Sequence, residues 1–488
     1  MNQNRFFYLN KINSPSAIKG LKDKELVILA DEVRELMVDS VSKTGGHLAS
    51  SLGTVELTIS LFKVFSPPYD IITWDVGHQA YAHKILTGRR RNFPTLRQKG
   101  GISGFLKKSE SRYDAFGAGH SSTAVSAAMG FAKARDINRR ANQVIAVVGD
   151  ASLANGMSLE AINHMGHDKT NVLIVVVDNE MSISPSVGAF SSYLNSIITG
   201  KAYNKFRDTV KAILDKIPKL GTPIANIVKH FEEALIGVFS PGTIFEELGF
   251  RYFGPINGHS IKQLCDMLER LKQIKGPKLL HVVTTKGKGY APAEKDPVTF
   301  HGLGPFDVAT GEQLKSNDDR PSFSKVFSES LCREAGRNRK IAAIVAAMIE
   351  GTNLNNFKKK YPSRFFDVGI AEEHAVTFAA GLAAAGMHPV VAIYSTFMQR
   401  AIDQVIHDIG LQKLPVIIAM DRAGLVGEDG PTHHGVFDIS FMKMIPNMIV
   451  MAPSTGFELR RMVRTAGMYK SGPVSIRFPR GKAEAGCL

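Results

Sequence analysis

At 488 residues the chain exceeds what one hydrophobic core usually holds, and 44% hydrophobic with 22% charged residues is the balance of an ordinary globular protein divided into domains. Its apolar runs fall short of the ~18 residues a membrane helix needs, the opening Met1-Asn2-Gln3-Asn4-Arg5 leads into no secretory signal, and the scattered Cys265, Cys332 and Cys487 suit reduced thiols in a cytoplasm. The net charge of +15 favours anionic small ligands, but Arg89-Arg90-Arg91 and Lys358-Lys359-Lys360 are short and lack interleaved aromatics, so nucleic acid is not an expected partner and most of the charge reads as solvated surface.

In chain order, β-rich runs ending in polar residues alternate with helical stretches. Gln143 to Val148 and Asn171 to Val177 read as strands, with an amphipathic segment from Met157 to His164 between them. A helix-heavy stretch at about 193–236 interrupts this block as an insertion. Gly302 to Ser322, rich in Gly, Asp, Asn, Pro and Ser and without a periodic apolar face, reads as a linker. The rhythm then returns with a strand at Arg364 to Val368, a helix at Glu372 to Gly386, a strand at Pro389 to Tyr394, a helix at Gln399 to Ile409, and strands at Pro415 to Met420, Met448 to Ala452 and Val474 to Phe478. The alternation predicts an α/β protein of two domains, 1–301 and 323–488, each a mostly parallel sheet flanked by helices.

The sharpest local signal is Gly149-Asp150-Ala151-Ser152, followed by Asp178-Asn179-Glu180-Met181. Each follows an apolar β run, and parallel sheets bind ligands outside the carboxyl ends of their strands. Gly-Asp alone is a common strand-to-helix turn. The second oxygen-rich strand end, 29 residues on (179 − 150), turns the pair into a candidate magnesium site: Asp150 carboxylate, Asn179 amide oxygen and a backbone carbonyl at Met181. Helix N–H groups after Ala151 would face a diphosphate. The spacing resembles the thiamine-diphosphate signature, with two departures: Ala151 replaces a glycine, and Val177 stands where many relatives have asparagine.

Longer segments extend the resemblance. Trp74-Asp75-Val76-Gly77-His78-Gln79-Ala80-Tyr81, Gly119-His120-Ser121-Ser122-Thr123, Ile370-Ala371-Glu372-Glu373-His374-Ala375, Tyr394-Ser395-Thr396-Phe397 and Asp421-Arg422-Ala423-Gly424 are similar to the 1-deoxy-D-xylulose-5-phosphate synthase family. The resemblance implies a transketolase-like, thiamine-diphosphate- and Mg2+-dependent transferase. It would decarboxylate pyruvate and condense it with D-glyceraldehyde 3-phosphate, feeding isoprenoid and thiamine biosynthesis in the cytoplasm as a homodimer. A transketolase-like enzyme with another donor and a catalytically silent cofactor-binding protein are the alternatives.

The resemblance also assigns residues. Glu372 matches the glutamate that hydrogen-bonds the aminopyrimidine, although an acid there also suits a helix N-terminus. Phe397 matches the aromatic stacked on that ring, Tyr290 a residue near the thiazolium, and Gly119, His120 and Ser121 a cofactor-binding turn. His47, His78, His301 and His433 match active-site histidines, and proton transfer near neutral pH favours histidine. Arg400, Arg422 and Arg480, with Tyr394 and Asp429, match the pocket for the substrate phosphate, which paired guanidinium N–H donors suit. The family continues beyond the position of Leu488 into a third, transketolase-type C-terminal domain; its absence here would weaken the dimer.

Overall fold

The computed structural model describes residues 5–179, 187–190, 192–194, 242–314 and 318–484. Met181 and nearly all of the 193–236 stretch therefore lie outside the described residues.

Two parallel sheets organise the chain. The first contains β1 (Ile71–Trp74), β2 (Val144–Gly149), β3 (Leu173–Asp178), β4 (Arg251–Asn257) and β5 (Lys278–Val283), in the order β1-β2-β3-β5-β4. The second contains β6 (Ile341–Val345), β7 (Phe365–Asp367), β8 (His388–Tyr394), β9 (Ile417–Ala423), β10 (Ile449–Met451) and β11 (Val474–Pro479), in the order β10-β11-β9-β8-β6-β7. All the strand pairs described are parallel.

Alternation along buried strands explains why helices cover both faces. In β2 and β3, Ile145, Val147, Leu173, Val175 and Val177 enter one apolar core, while Val144, Ala146, Val148, Ile174 and Val176 enter the other. The second sheet divides likewise: Val390, Ala392, Ile417 and Ala419 face one core, and Val391, Ile393, Ile418 and Met420 the opposite one. The expected α/β architecture is present.

Two details differ from the sequence reading. Leu303 and Phe306, within the stretch read as linker, are buried in the first core, and Leu303 bridges Gly46. The helix expected at Gln399 to Ile409 is three short pieces, a 3-10 turn at Gln399–Ala401, an α turn at Ile402–Gln404 and a π turn at Val405–Gly410. Among the described residues no helix is long and apolar enough to cross a membrane.

Candidate active site

The carboxyl ends of the strands carry the chemistry, and several hold strained backbone. Val76 just beyond β1, Ala347 just beyond β6 and Arg422 in β9 have φ of 57°, 58° and 60°, and Ser122 has 70°. Non-glycine residues in this region persist only where surrounding contacts hold them, and they gather at functional sites. Below Ser122, buried Asp75 accepts its N–H at 2.7 Å and that of Ala124 at 3.1 Å, which fixes the turn before the helix Ala124–Ile137.

Three of the expected histidines meet. The ring centroids of His47 and His78 are 5.8 Å apart, those of His47 and His301 5.8 Å, and those of His78 and His301 5.1 Å. Burial lowers the pKa of His47 to about 4, and pushes His78 and His301 well below their usual value. All three are therefore neutral at physiological pH. Among the described residues, His47 Nδ1 and His78 Nδ1 are buried without a hydrogen-bond partner.

His433 joins them from the second sheet through Phe105, whose ring lies 5.4 Å from His47 and stacks on His433 at 4.7 Å. Its pKa is also lowered to about 4, by burial first, with Asp429 opposing. Asp429 itself is held down at about 2: burial raises it, but His47, Arg97, His433 and Arg480 outweigh that. Arg97 Nη2 donates to Asp429 Oδ1 at 2.8 Å, tying the two domains.

His120 is a second tie. Its Nε2 lies 3.0 Å from Thr396 Oγ1 and 2.8 Å from the Thr432 carbonyl, with its ring 5.1 Å from Phe397. Phe397 in turn stacks with Tyr394 at 5.5 Å. Gly119, at φ 148°, approaches so closely that a Cβ there would come within 2.6 Å of Thr432 Cβ. Asn155 caps the helix Gly156–His167 and donates from Nδ2 to the Ile370 carbonyl at 2.9 Å. The domains thus meet where the two sets of strand ends face each other.

Glu372 opens the helix Glu372–Ala384 and is buried. Burial raises its pKa against the nearby Arg400 charge, and its Oε2 lacks a hydrogen-bond partner, with Arg400 Nη1 at 3.5 Å. Arg400 also donates to the Ser121 carbonyl, and to Ser121 Oγ at 3.2 Å. Its guanidinium thus contacts both Glu372 and the Ser121 turn of the first domain. Arg422 lies over the Tyr394 ring at 4.6 Å and donates to Asp421 Oδ1 at 2.8 Å and Ser324 Oγ at 2.9 Å. Arg480 reaches Glu428 at 2.6 Å and lies 3.9 Å from Asp429. Arg422, Arg480, Tyr394 and Asp429 form one electrostatically linked group.

Parallel pairing of Gly149 with Val177 sets Asp150 beside Asp178, with Asn179 one residue on. Burial and then the Asp178 charge push the Asp150 pKa up to about 6, against the Ala151 backbone N–H and Lys286. Asp178 also bonds His281 Nε2 at 3.0 Å. Among the described residues no three His, Cys, Asp or Glu side chains converge to hold a metal. The Asp150 carboxylate and the Asn179 amide oxygen, one residue past the strand end beside it, are the oxygen donors that a magnesium ion shares with phosphate oxygens. Ala151 and Ser152 lie in the single turn Asp150–Leu153, too short for a large helix dipole; the Ser152 carbonyl accepts Ser122 Oγ at 2.9 Å. The buried Glu372 carboxylate, paired with Arg400, and the aromatic Phe397 are groups that suit the amino-substituted ring of thiamine diphosphate.

Tyr290 stands apart from this cluster. Its ring packs against Phe300 at 5.7 Å and Phe306 at 6.0 Å, and its hydroxyl donates to the Val308 carbonyl at 2.8 Å. The sequence reading passed over Lys286, buried just beyond β5, with its pKa lowered to about 8 by burial while Asp150 opposes. Lys286 follows β5 after Thr284-Thr285, and the polar residues within β5 leave no clear sequence signal for it. Arg97, Phe105 and Thr432 carried none, since they lie in loops without periodicity.

The family model described as 1-deoxy-D-xylulose-5-phosphate synthase matches residues 9–284, and the transketolase pyrimidine-binding domain matches 319–485. The chain belongs to the 1-deoxy-D-xylulose-5-phosphate synthase family. It is 54% identical over 476 residues to the synthase of Syntrophomonas wolfei subsp. wolfei, covering 98% of this chain and 74% of that protein. It is 55% identical over 475 residues to that of Syntrophotalea carbinolica, covering 97% and 75%. Among solved structures, transketolase from Campylobacter jejuni aligns with a TM-score of 0.44 at 18% identity, covering 96% of this chain and 80% of that one. Transketolase from Leishmania mexicana aligns with 0.43 at 17%, covering 95% and 78%.

Proposed function

We propose that the chain is a thiamine-diphosphate- and Mg2+-dependent transferase that decarboxylates pyruvate and joins the remaining two-carbon unit to D-glyceraldehyde 3-phosphate, giving 1-deoxy-D-xylulose 5-phosphate and CO2. The observation that carries this reading within the family is the convergence of the His47, His78 and His301 rings, with His433 of the second domain brought beside them through Phe105.

Thiamine diphosphate, when bound, supplies the carbon nucleophile and the electron sink of such a reaction. Asp150 and Asn179 would hold Mg2+ and, through it, the diphosphate, with Gly119, His120, Ser121, Ala151 and Ser152 around it. Glu372 and Phe397 would hold the aminopyrimidine. Burial raises the pKa of Glu372 against the Arg400 charge, which favours a carboxyl able to share a proton with a ring nitrogen. His47, His78, His301 and His433, neutral at that pH, can each accept a proton at one nitrogen while donating from the other. Arg422 and Arg480 would pair with the substrate phosphate beside Tyr394, and Asp429 would orient Arg480.

This reading extends to a homodimer working in the cytoplasm and supplying isoprenoid and thiamine synthesis. Exposed Leu425, Val436, Phe437 and Met444 support association, and free Cys265 and Cys332 support a reducing compartment. The test is CO2 release from pyruvate by the purified chain with thiamine diphosphate and Mg2+. Release that depends on D-glyceraldehyde 3-phosphate supports the proposal. Turnover only with a ketose phosphate donor would move the chain to a transketolase activity.

A further inference from the structure

Phe105 is buried, yet it lies on an irregular segment between Leu96 and Ala124. A loop does not bury a large aromatic ring without something to hold it, and here the restraint comes from two carboxylates. Glu110 Oε2 accepts the Ser103 N–H at 2.8 Å, and Asp114 Oδ2 accepts the Lys107 N–H at 2.9 Å, two residues either side of Phe105. Both acids are anchored in turn. Lys84 Nζ and Arg89 Nη1 reach Glu110 at 2.6 and 2.8 Å; both Arg89 terminal nitrogens and His83 Nε2 reach Asp114 at 2.7, 2.8 and 3.1 Å.

His83, Lys84, Arg89 and Asp114 are themselves buried. Buried ion pairs add little net stability, because desolvation offsets attraction; their use lies in fixing one geometry. What this network fixes is the backbone around Phe105, and the ring it presents separates a histidine of each domain. It lies 5.4 Å from His47 at an interplanar angle of 52°, and 4.7 Å from His433 at 14°.

We propose that Phe105 is a positioning residue: an aromatic spacer, clamped by Glu110 and Asp114, that sets the separation of His47 and His433 across the domain junction and keeps water from the space between them. The proposal rests on the reading of these two histidines as proton-transfer groups, and it adds to that reading the part that holds them in register.

The charged and titratable groups near the two rings are Asp429 and Arg97, with Tyr81, His78 and His301 beside His47 and His120 beside His433. The test follows the histidine ring protons by NMR through a pH titration of the whole chain, wild type against Phe105→Ala, with steady-state kinetics on the same proteins. Opening the space should move His47 and His433 from about 4 toward the usual 6.5, while His83, enclosed by the clamp, stays put. A neutral imidazole that accepts a proton is lost below its pKa, so the acid limb of kcat should move to higher pH with them. At the pH optimum kcat should fall by roughly ten- to a hundredfold, the cost of misplaced groups, with both KM values nearly unchanged.

Phe105→Leu, which keeps most of the apolar volume, should recover most of both effects, and it carries the titration if Phe105→Ala does not fold. Unchanged His47 and His433 titrations in a folded variant overturn the proposal, whatever the rates do. Should the wild-type chain make no product, the functional reading fails, while the titration still decides the role of Phe105.

Discussion

The three arginines expected at the phosphate meet different partners, Arg400 at Glu372 and Ser121, Arg422 at Asp421 and Tyr394, and Arg480 at Glu428, and substitution should distinguish their roles. Removing one charge-assisted hydrogen bond costs about 1.5–3 kcal/mol, or roughly tenfold to more than a hundredfold in affinity. Arg480 has a side chain 39% exposed and already paired with Glu428, so screening places Arg480→Ala near the lower end. Arg422 is 22% exposed, lies over Tyr394 and pairs with buried Asp421, so Arg422→Ala belongs near the upper end. Because losing Arg422 also leaves Asp421 uncompensated, the ratio between two acceptors is the quantity to read, rather than the loss itself. Steady-state kinetics with D-glyceraldehyde 3-phosphate and with unphosphorylated glyceraldehyde supplies that ratio. Both variants should lose selectivity for the phosphorylated aldehyde and keep their response to pyruvate. Arg400→Ala should impair both acceptors alike, because its guanidinium lies 3.5 Å from Glu372 and bonds Ser121. Equal losses for both aldehydes in Arg422→Ala and Arg480→Ala, or a phosphate-selective loss in Arg400→Ala, would refute the division.

Other substitutions probe the remaining parts. Asp150→Ala should weaken Mg2+-dependent binding of thiamine diphosphate by orders of magnitude, read by calorimetric titration; an unchanged affinity removes Asp150 from the metal. Glu372→Gln should still bind the cofactor but slow exchange of its ring C2 proton about a hundred- to ten-thousandfold, read by NMR. His47 and His433 are held at about 4, so the unfolded chain binds more protons between that pH and 6.5. Their contribution to stability is therefore present above pH 6.5 and lost as pH falls through about 4, by at most about 3 kcal/mol each. Calorimetry should show the melting temperature dropping across that window, less steeply in His433→Gln. Gly119→Ala should destabilise the domain junction by roughly 1–3 kcal/mol, and Thr432→Gly in the same chain should recover part of the melting temperature.

Much of the second sheet was legible because its strands are short apolar runs closed by polar residues, as at Pro389 to Tyr394 and Val474 to Phe478. The strands passed over have physical reasons. β5 contains buried Lys278 and His281, whose polar atoms are hydrogen-bonded internally to Asn171, Asp178 and Tyr252, so the segment does not look like a core strand. β4 is half-buried at the sheet edge and is interrupted by Gly254-Pro255. β6, Ile-Ala-Ala-Ile-Val, is alanine-rich and reads equally as helix. In the site, histidines in distinctive motifs could be gathered by type, and the structure brings His47, His78 and His301 together. Type alone could not separate Arg400 from Arg422, because only folding shows which carboxylate each one meets. Nor does residue type show that the Tyr290 hydroxyl donates to the Val308 carbonyl.

The central claim is the reaction itself, and carbon-13 NMR tests it most directly. The purified chain would be incubated with thiamine diphosphate, Mg2+, D-glyceraldehyde 3-phosphate and pyruvate labelled at C2. The label should appear in the ketone carbon of 1-deoxy-D-xylulose 5-phosphate, with one CO2 released per product. Label remaining in pyruvate, or appearing only in acetaldehyde or acetate, would contradict it.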